Sequence, residues 1–188
     1  MNHSSLSITF PSGKTEQVPF DTPISNLLQH FEPTNDEILA VRINNEICSL
    51  DSNVEINCKL EPVLKNTKDG ANIYRRSLCL LLATAAHNLF PASHLLVGHS
   101  LGYGYYYTLD TGAPITQEQI TSLENEMQRL VQQDLPVTTK TISYEDAIKL
   151  FEELNLTETR KQLNYIAPQK IKINCIDNFS DMYFGPLV

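Results

Sequence analysis

Five histidines, four cysteines and the run Tyr105-Tyr106-Tyr107 are the side chains here from which chemistry could be built. Their spacing argues against a metal. No pair of histidines stands as HxxxH or HxH, and Cys48, Cys58, Cys79 and Cys175 lie far apart with no CxxC. Converging ligands on one helical turn or one tight loop need such spacings. His87 falls on the polar flank of an apolar helix and reads as a surface residue, and His94 reads as a loop residue. His99 stands beside glycines and has two readings of equal weight, a pocket-lining group or a hydrogen-bonded turn residue. Gly98, Gly102 and Gly104 do not make GxGxxG; tight turns are the better account, because glycine takes positive φ freely. The tyrosines could stack a base, while alternation along a strand turns at least one of them into core. There is no GxxxxGK[ST], so no phosphate-cradling loop is present in this sequence.

These residues cluster between Ile73 and Tyr107. Leu78, Leu81, Leu82, Ala85, Ala86 and Leu89 recur at three- and four-residue steps, which predicts a helix with that face buried. Asp69 and Asn72 are its candidate N-caps. After Pro91, Leu95–Val97 reads as a strand, the glycines as a turn, and Tyr105–Leu109 as the returning strand. A buried helix followed by such a hairpin can form the wall and floor of a pocket.

The supporting chain divides near Lys65. Leu6, Ile8 and Phe10 alternate as a strand, residues 11–14 turn, and Thr15–Val18 returns. Thr22-Pro23 is expected to start a short helix, threonine as cap and proline at the first helical position. Its apolar face carries Ile24, Leu27, Leu28 and Phe31. Ile38–Ile43 is a strong strand, Asn44-Asn45 a tight turn, Glu46–Leu50 its partner, and Val54–Val63 contains a last strand. Together they predict a small β-grasp layout, a mixed sheet crossed by one helix. Residues 66–72, polar and free of large apolar side chains, read as a linker. Beyond the hairpin, Thr116 and Gln119 form a capping box, opening a helix with the stripe Ile120, Leu123, Met127, Leu130 and Val131. A strand follows over Val137–Ile142, then a helix capped at Ser143 with Ala147, Ile148, Phe151 and Leu154 inward. Leu156–Leu163 reads as a further turn or two of helix, and Lys170–Ile176 alternates as a strand.

Composition narrows the function classes. The 188 residues are 41% hydrophobic and 19% charged, as in ordinary soluble domains. No signal peptide is recognisable, and Leu78–Ala86 is about half a bilayer span. A cytoplasmic protein with reduced cysteines is the expectation. The formal net charge of −8 opposes binding through nucleic-acid phosphates, and Tyr74-Arg75-Arg76 is too short to be a basic patch.

At this point a resemblance can be stated. SITFPSGKTEQVPFDTPISNLL and LAVRINNEICSLDSNVEI resemble the TGS domain, the β-grasp module at the front of threonyl-tRNA synthetases. DGANIYRRS is similar to the join between that module and the synthetase's editing domain. NLFP, VGHSLGYGYYY, ITQEQITSLENEM and SDMYFGPLV resemble the editing domain in order. The resemblance implies an α+β protein: residues 1–65 a TGS-like β-grasp domain, 66–72 a linker, and 73–188 an editing-like two-layer α/β sandwich. Long helices on a mainly antiparallel sheet are its expected architecture.

The departures from the family pattern matter most. The editing domain carries HxxxH on its buried helix and a later CxxxH. Registering on Leu89-Phe90-Pro91 places Arg76 and Leu80 at the histidine positions. Registering on Gly185-Pro186 places Tyr183 and Leu187 at the cysteine and histidine positions. Leucine neither binds metal nor transfers protons, and guanidinium stays protonated. Asp181 matches the family's aspartate but has no base, nucleophile or metal beside it in the pattern. The resemblance thus implies a degenerate editing site, with Arg76, Leu80, His99, Asp181, Tyr183 and Leu187 as pocket residues and no catalytic or metal role. Arg76 either clamps an anion or pairs with Asp181 and plugs the pocket, the plug being favoured. His99, Ser100, Tyr183 and Leu187 are also similar to the front region of bacterial uridine kinase-type nucleoside kinases. That resemblance implies a non-catalytic ligand-sensing, regulatory or docking region, cut short at its C-terminal end, beside a downstream P-loop kinase domain in cis. ATP and Mg would belong to that domain only, and a nucleotide or other small molecule is the expected ligand here. The alternative is a trans-editing hydrolase acting on mischarged tRNA, against which the lost ligands and acidic charge both count.

Overall fold

A computed structural model of the chain describes residues 5–31, 37–102, 104–166 and 168–188. It is a mixed α+β protein that divides into two compact units. One holds the described residues up to Tyr74 together with Phe184–Val188; the other is Arg75–Tyr183.

In the first unit, alternation does what the sequence pattern asks of it. Strands β1 (Ser5–Thr9) and β2 (Thr15–Pro19) pair antiparallel through the 11–14 turn. A two-residue strand β3 (Thr22–Pro23) and a 3₁₀ helix over Ile24–His30 follow. Then come β4 (Ile38–Ile43), β5 (Glu46–Cys48), β6 (Asn53–Val54) and β7 (Cys58–Leu64). The main sheet has the order β2-β1-β7-β4-β5, with β1 parallel to β7 and the other pairs antiparallel. Ile8, Phe10, Ile24, Val41, Val54 and Leu60 fill its core. Asn44 makes the expected turn, in the left-handed region at φ 54°, while its Oδ1 accepts from the Lys59 N–H.

Two local expectations are corrected here. The expected short helix is present but begins at Ile24, as 3₁₀ with Pro23 at the cap position. Thr22-Pro23 itself pairs as β3 with β6, and the Thr22 hydroxyl donates to the Pro19 carbonyl instead of capping. A strand partner some thirty residues away outweighs the local signal. Residues 66–72 are not all linker either, for helix α1 (Lys68–Leu89) begins inside them. Its first turn is capped by neither Asp69 nor Asn72 but by Thr67, whose Oγ1 accepts from the Gly70 N–H at 3.1 Å. Asp69 instead takes Arg42 in an ion pair at 2.6 Å. Gly70 is fixed by close approach, since a Cβ there would collide with the Leu64 carbonyl oxygen.

The second unit takes up α1 from Arg75 onward. A hairpin of β8 (His94–Leu101) and β9 (Gly104–Asp110) forms its own two-stranded sheet. Next is α2 (Gln117–Gln132), closed at its start by both halves of the Thr116–Gln119 capping box. Strand β10 (Thr138–Ser143), α3 (Tyr144–Glu153) and α4 (Thr157–Ile166) lead to β11 (Lys170–Ile176) and β12 (Phe179–Asp181). β10, β11 and β12 make an antiparallel sheet in that order. The apolar side chains gather in two clusters. One joins Ala85 and Ala86 of α1 to Leu109, Leu123 and Leu130. The other joins Ala147, Phe151 and Leu163 to the inner face of β11.

The predicted face of α1 is buried in its middle, where Ala85 and Ala86 are buried and Leu81 and Leu82 pack against their cluster. Its two ends are not, and the buried surface extends to other residues. Leu78 and Leu89 are 38% and 39% exposed, while Ile73, Ser77, Leu80 and Thr84 are buried. Those four also recur at helical spacing, so the nearly continuous apolar run over residues 78–86 leaves the extent of the inward face undecided by periodicity. Thr84 is accommodated because its hydroxyl donates to the Leu80 carbonyl at 2.9 Å. Among the described residues, no helix is long and apolar enough to cross a membrane.

Candidate functional site

The second unit contains a cavity of about 950 Å³. It opens where the two apolar clusters of this unit leave space. Ala83, Ala86 and His87 of α1 form one wall, and the β8–β9 hairpin from His94 to His99 and from Tyr106 to Asp110 forms another. The α3–α4 junction and the β12 end, with Asp181, Met182 and Tyr183, complete it.

Local chemistry sets each wall. α3 ends in a Schellman closure: the Asn155 N–H donates to the Glu152 carbonyl and the Leu156 N–H to the Phe151 carbonyl. Asn155 supplies the left-handed residue at φ 58°, which starts α4 at once and brings Thr157 and Thr159 to the cavity. β11 and β12 are joined through Asp177 at φ 51°, with Ile176 opposite Phe179, and this register sets Asp181 opposite Asn174. In the β8–β9 hairpin the register shifts between Val97 and Ser100. Gly98 lies in that irregularity, where a Cβ would stand 3.0 Å from the Tyr106 carbonyl oxygen and 3.2 Å from its ring, a tight fit.

The polar groups are tied down in a definite way. Thr159 Oγ1 donates to Asp181 Oδ1 at 2.9 Å, and the Met182 N–H donates to the same oxygen at 2.7 Å. Burial pushes the Asp181 carboxyl above the usual range, an effect these two bonds only partly offset. His99 stacks on Tyr106 with ring centroids 5.7 Å apart and planes 17° apart. His87 packs on the Phe179 ring at 5.3 Å. His94 Nε2 and Asn155 Nδ2 lie 3.5 Å apart. Tyr107 donates its hydroxyl to the Cys79 sulfur at 2.8 Å, and burial followed by that bond raises the phenol's pKa. The Tyr183 phenol is raised too, by burial first and then by Asp181, Cys79 and Tyr107, whose charged forms would repel its phenolate.

Three of the six sequence-predicted pocket residues therefore line one cavity: His99, Asp181 and Tyr183. Arg76 is half-buried on α1 and is not part of the lining. Leu80 is fully buried in the same helix, and Leu187 is buried within the first unit. The expected Arg76–Asp181 plug is corrected by the geometry, since Asp181 is held by Thr159 and Met182. The readings of His87 as surface and His94 as loop are corrected as well: one packs on Phe179, the other opens β8, and both line the cavity. Asn155, Thr159 and the Cys79–Tyr107 pair were not singled out from sequence. Thr159 and Asp181 are 22 positions apart and Cys79 and Tyr107 are 28 apart, so no local pattern joins them. Among the described residues, no group of three or more His, Cys, Asp or Glu side chains is placed to hold a metal ion.

No protein-family model matches the chain. Its sequence relatives are threonine–tRNA ligases. It is 28% identical over 187 residues to the enzyme of Desulforamulus reducens, a match covering 97% of this chain and 29% of that protein. With the enzyme of Maridesulfovibrio salexigens it shares 30% identity over 152 residues, 80% of this chain and 24% of that one. The enzyme of Symbiobacterium thermophilum is 26% identical over 185 residues, covering 97% and 28%. The chain is thus homologous to one segment of the threonine–tRNA ligases, and spans about a quarter of the length of the relatives it matches.

Proposed function

We propose that this chain is a binding module derived from the front region of a threonyl-tRNA synthetase, a TGS-like domain followed by an editing domain that no longer hydrolyses. The observation that carries the reading is the occupancy of the four editing-ligand positions by Arg76, Leu80, Tyr183 and Leu187. Two of these are buried leucines, which supply neither a lone pair nor a proton. The mixed sheet β2-β1-β7-β4-β5, with its short 3₁₀ helix, supports the β-grasp assignment of the first unit. The cavity carrying His99, Asp181 and Tyr183 is the ligand site of the module. Its role is ligand sensing, regulation or docking in a protein of the uridine or nucleoside kinase type, with the P-loop domain in cis.

Purified chain incubated with mischarged tRNA tests the loss of hydrolysis, the expected rate being that of the uncatalysed ester. Measurable turnover, with one zinc ion retained after dialysis, would return the protein to the second reading, an aminoacyl-tRNA hydrolase. The similarity to threonine–tRNA ligases is what keeps that reading in view. Reading the gene past Val188 tests the kinase context: GxxxxGK[ST] in frame supports it, and an aminoacylation region removes it.

A further inference from the structure

We infer that the cavity of the second unit selects an uncharged, planar, hydroxyl-bearing ligand of nucleoside size and turns away its phosphorylated forms. This deepens the proposed ligand-sensing role and rests on it. The sign of the charge carries the argument. Among the described residues lining the cavity there is no lysine or arginine, whereas Asp110, Glu158 and Asp181 all contribute. Glu158 is paired with Lys161 at 2.7 Å. Neither aspartate has an ion pair among the described residues; Asp110 accepts only the Gly112 N–H, at 3.3 Å. A phosphate brought in here meets the Asp110 and Asp181 carboxyls and no guanidinium, ammonium or glycine-rich cradle. The imidazoles of His87, His94 and His99, the lining groups that could otherwise donate to it, already face Phe179, Asn155 and Tyr106.

The same walls suit a neutral ring with hydroxyls. Tyr106 is 53% exposed and near-parallel to His99, so an open aromatic face stands at the rim for a planar heterocycle to extend the stack. Both hydrogen bonds to Asp181 land on Oδ1, which leaves Oδ2 as an acceptor for a ligand hydroxyl. Asn155 and Thr157 add donors and acceptors on the facing wall. A volume of about 950 Å³ accommodates a molecule of this size with room for water.

Equilibrium binding by calorimetry, using the whole chain at low salt, tests this. The probes are adenosine, cytidine, guanosine and uridine, their 5′-monophosphates, and putrescine as an aliphatic cation. At least one nucleoside is expected to bind, with its monophosphate weaker by about tenfold or more at 50 mM salt and the gap narrowing as salt rises. Tyr106→Ala should weaken the nucleoside, and Asp110→Asn should recover part of the monophosphate binding. Tyr106 is exposed enough that its removal spares the core, which circular dichroism checks. Monophosphate binding equal to or tighter than the nucleoside, tighter binding of putrescine, or binding of no probe would each overturn the inference. None of those results restores hydrolysis, so the binding-module reading fails only through the deacylation assay.

Discussion

The two units of this molecule solve opposite problems with similar materials. In the first, a five-stranded mixed sheet, a two-stranded sheet and one short helix close around a core in which Ile8, Ile24, Val41, Val54 and Leu60 are fully buried, with a smaller cluster of Ala40, Val63 and Ile73. The second also divides its apolar side chains between two clusters and two sheets, but it leaves a cavity of about 950 Å³ lined with histidines, carboxylates and amides. A closed core is a stability device. A gap kept open between two cores gives up packing that a merely structural domain would use. That difference is why the proposed ligand site is sought in the second unit.

The sharpest way to break this contrast is to truncate one large side chain in each unit. Phe10→Ala removes a ring buried in the first core and is expected to cost about 3–5 kcal/mol in urea denaturation. Leu96→Ala, on the cavity wall and 40% exposed, should cost less than ~1 kcal/mol. Equal losses would show that the cavity wall is packed as tightly as the core.

Next in size is the clamp between α1 and α2. The Arg129 fork holds the Glu126 carboxylate at 2.7 Å through two N–H groups, and Asn88 donates to it at 2.9 Å. Arg129 first, then Asn88, lower its pKa from the ordinary 4.5 to about 2. A lowered folded pKa means stability that is present above pH ~4.5 and lost as the pH falls towards about 2. Glu126→Gln should therefore cost on the order of 1 kcal/mol at pH 7 and flatten the acid limb of the stability curve. An unchanged limb measured by thermal melts from pH 2 to pH 7 would remove the clamp from the account.

The smallest effect has the opposite sign. Burial raises Asp181, so the folded state holds this proton more tightly than the unfolded chain does. Its contribution is full below the ordinary carboxylate range and is lost as the pH rises through the raised folded value. Asp181→Asn, which keeps an oxygen for Thr159 and Met182, is expected to leave the melting temperature at pH 7 unchanged or to raise it by a few degrees. It should lower ligand affinity at the same time, the stability–function conflict expected of a binding site. A marked loss of stability would make Asp181 a structural carboxylate and weaken the contrast between the units.

The residues settled by sequence alone are those whose partners lie within one turn. Thr116 and Gln119 close their capping box, Ser143 accepts from the Asp146 N–H, and Asn44 takes its turn conformation, because each bond spans three residues or fewer or acts on the residue's own backbone. The alternation of Leu6 and Ile8 likewise fixes the inner face of β1, for a strand has only two faces. The proposed loss of the editing ligands likewise rests on residue identities at 76, 80, 183 and 187 alone. Tertiary structure decided everything that depended on distant partners. It set the extent of the buried face of α1, adding Leu80 and Thr84 to Ala85 and Ala86 and leaving Leu78 at the surface. It drew Thr22-Pro23 into a strand by pairing with Asn53–Val54. It joined Tyr107 to Cys79, gave Asp181 to Thr159 instead of Arg76, and set His87, His94 and His99 around one space. A local hydrogen bond needs only the dihedrals of a few residues, whereas each of these contacts waits on closing a long loop, and its energy is not written in any window of the sequence.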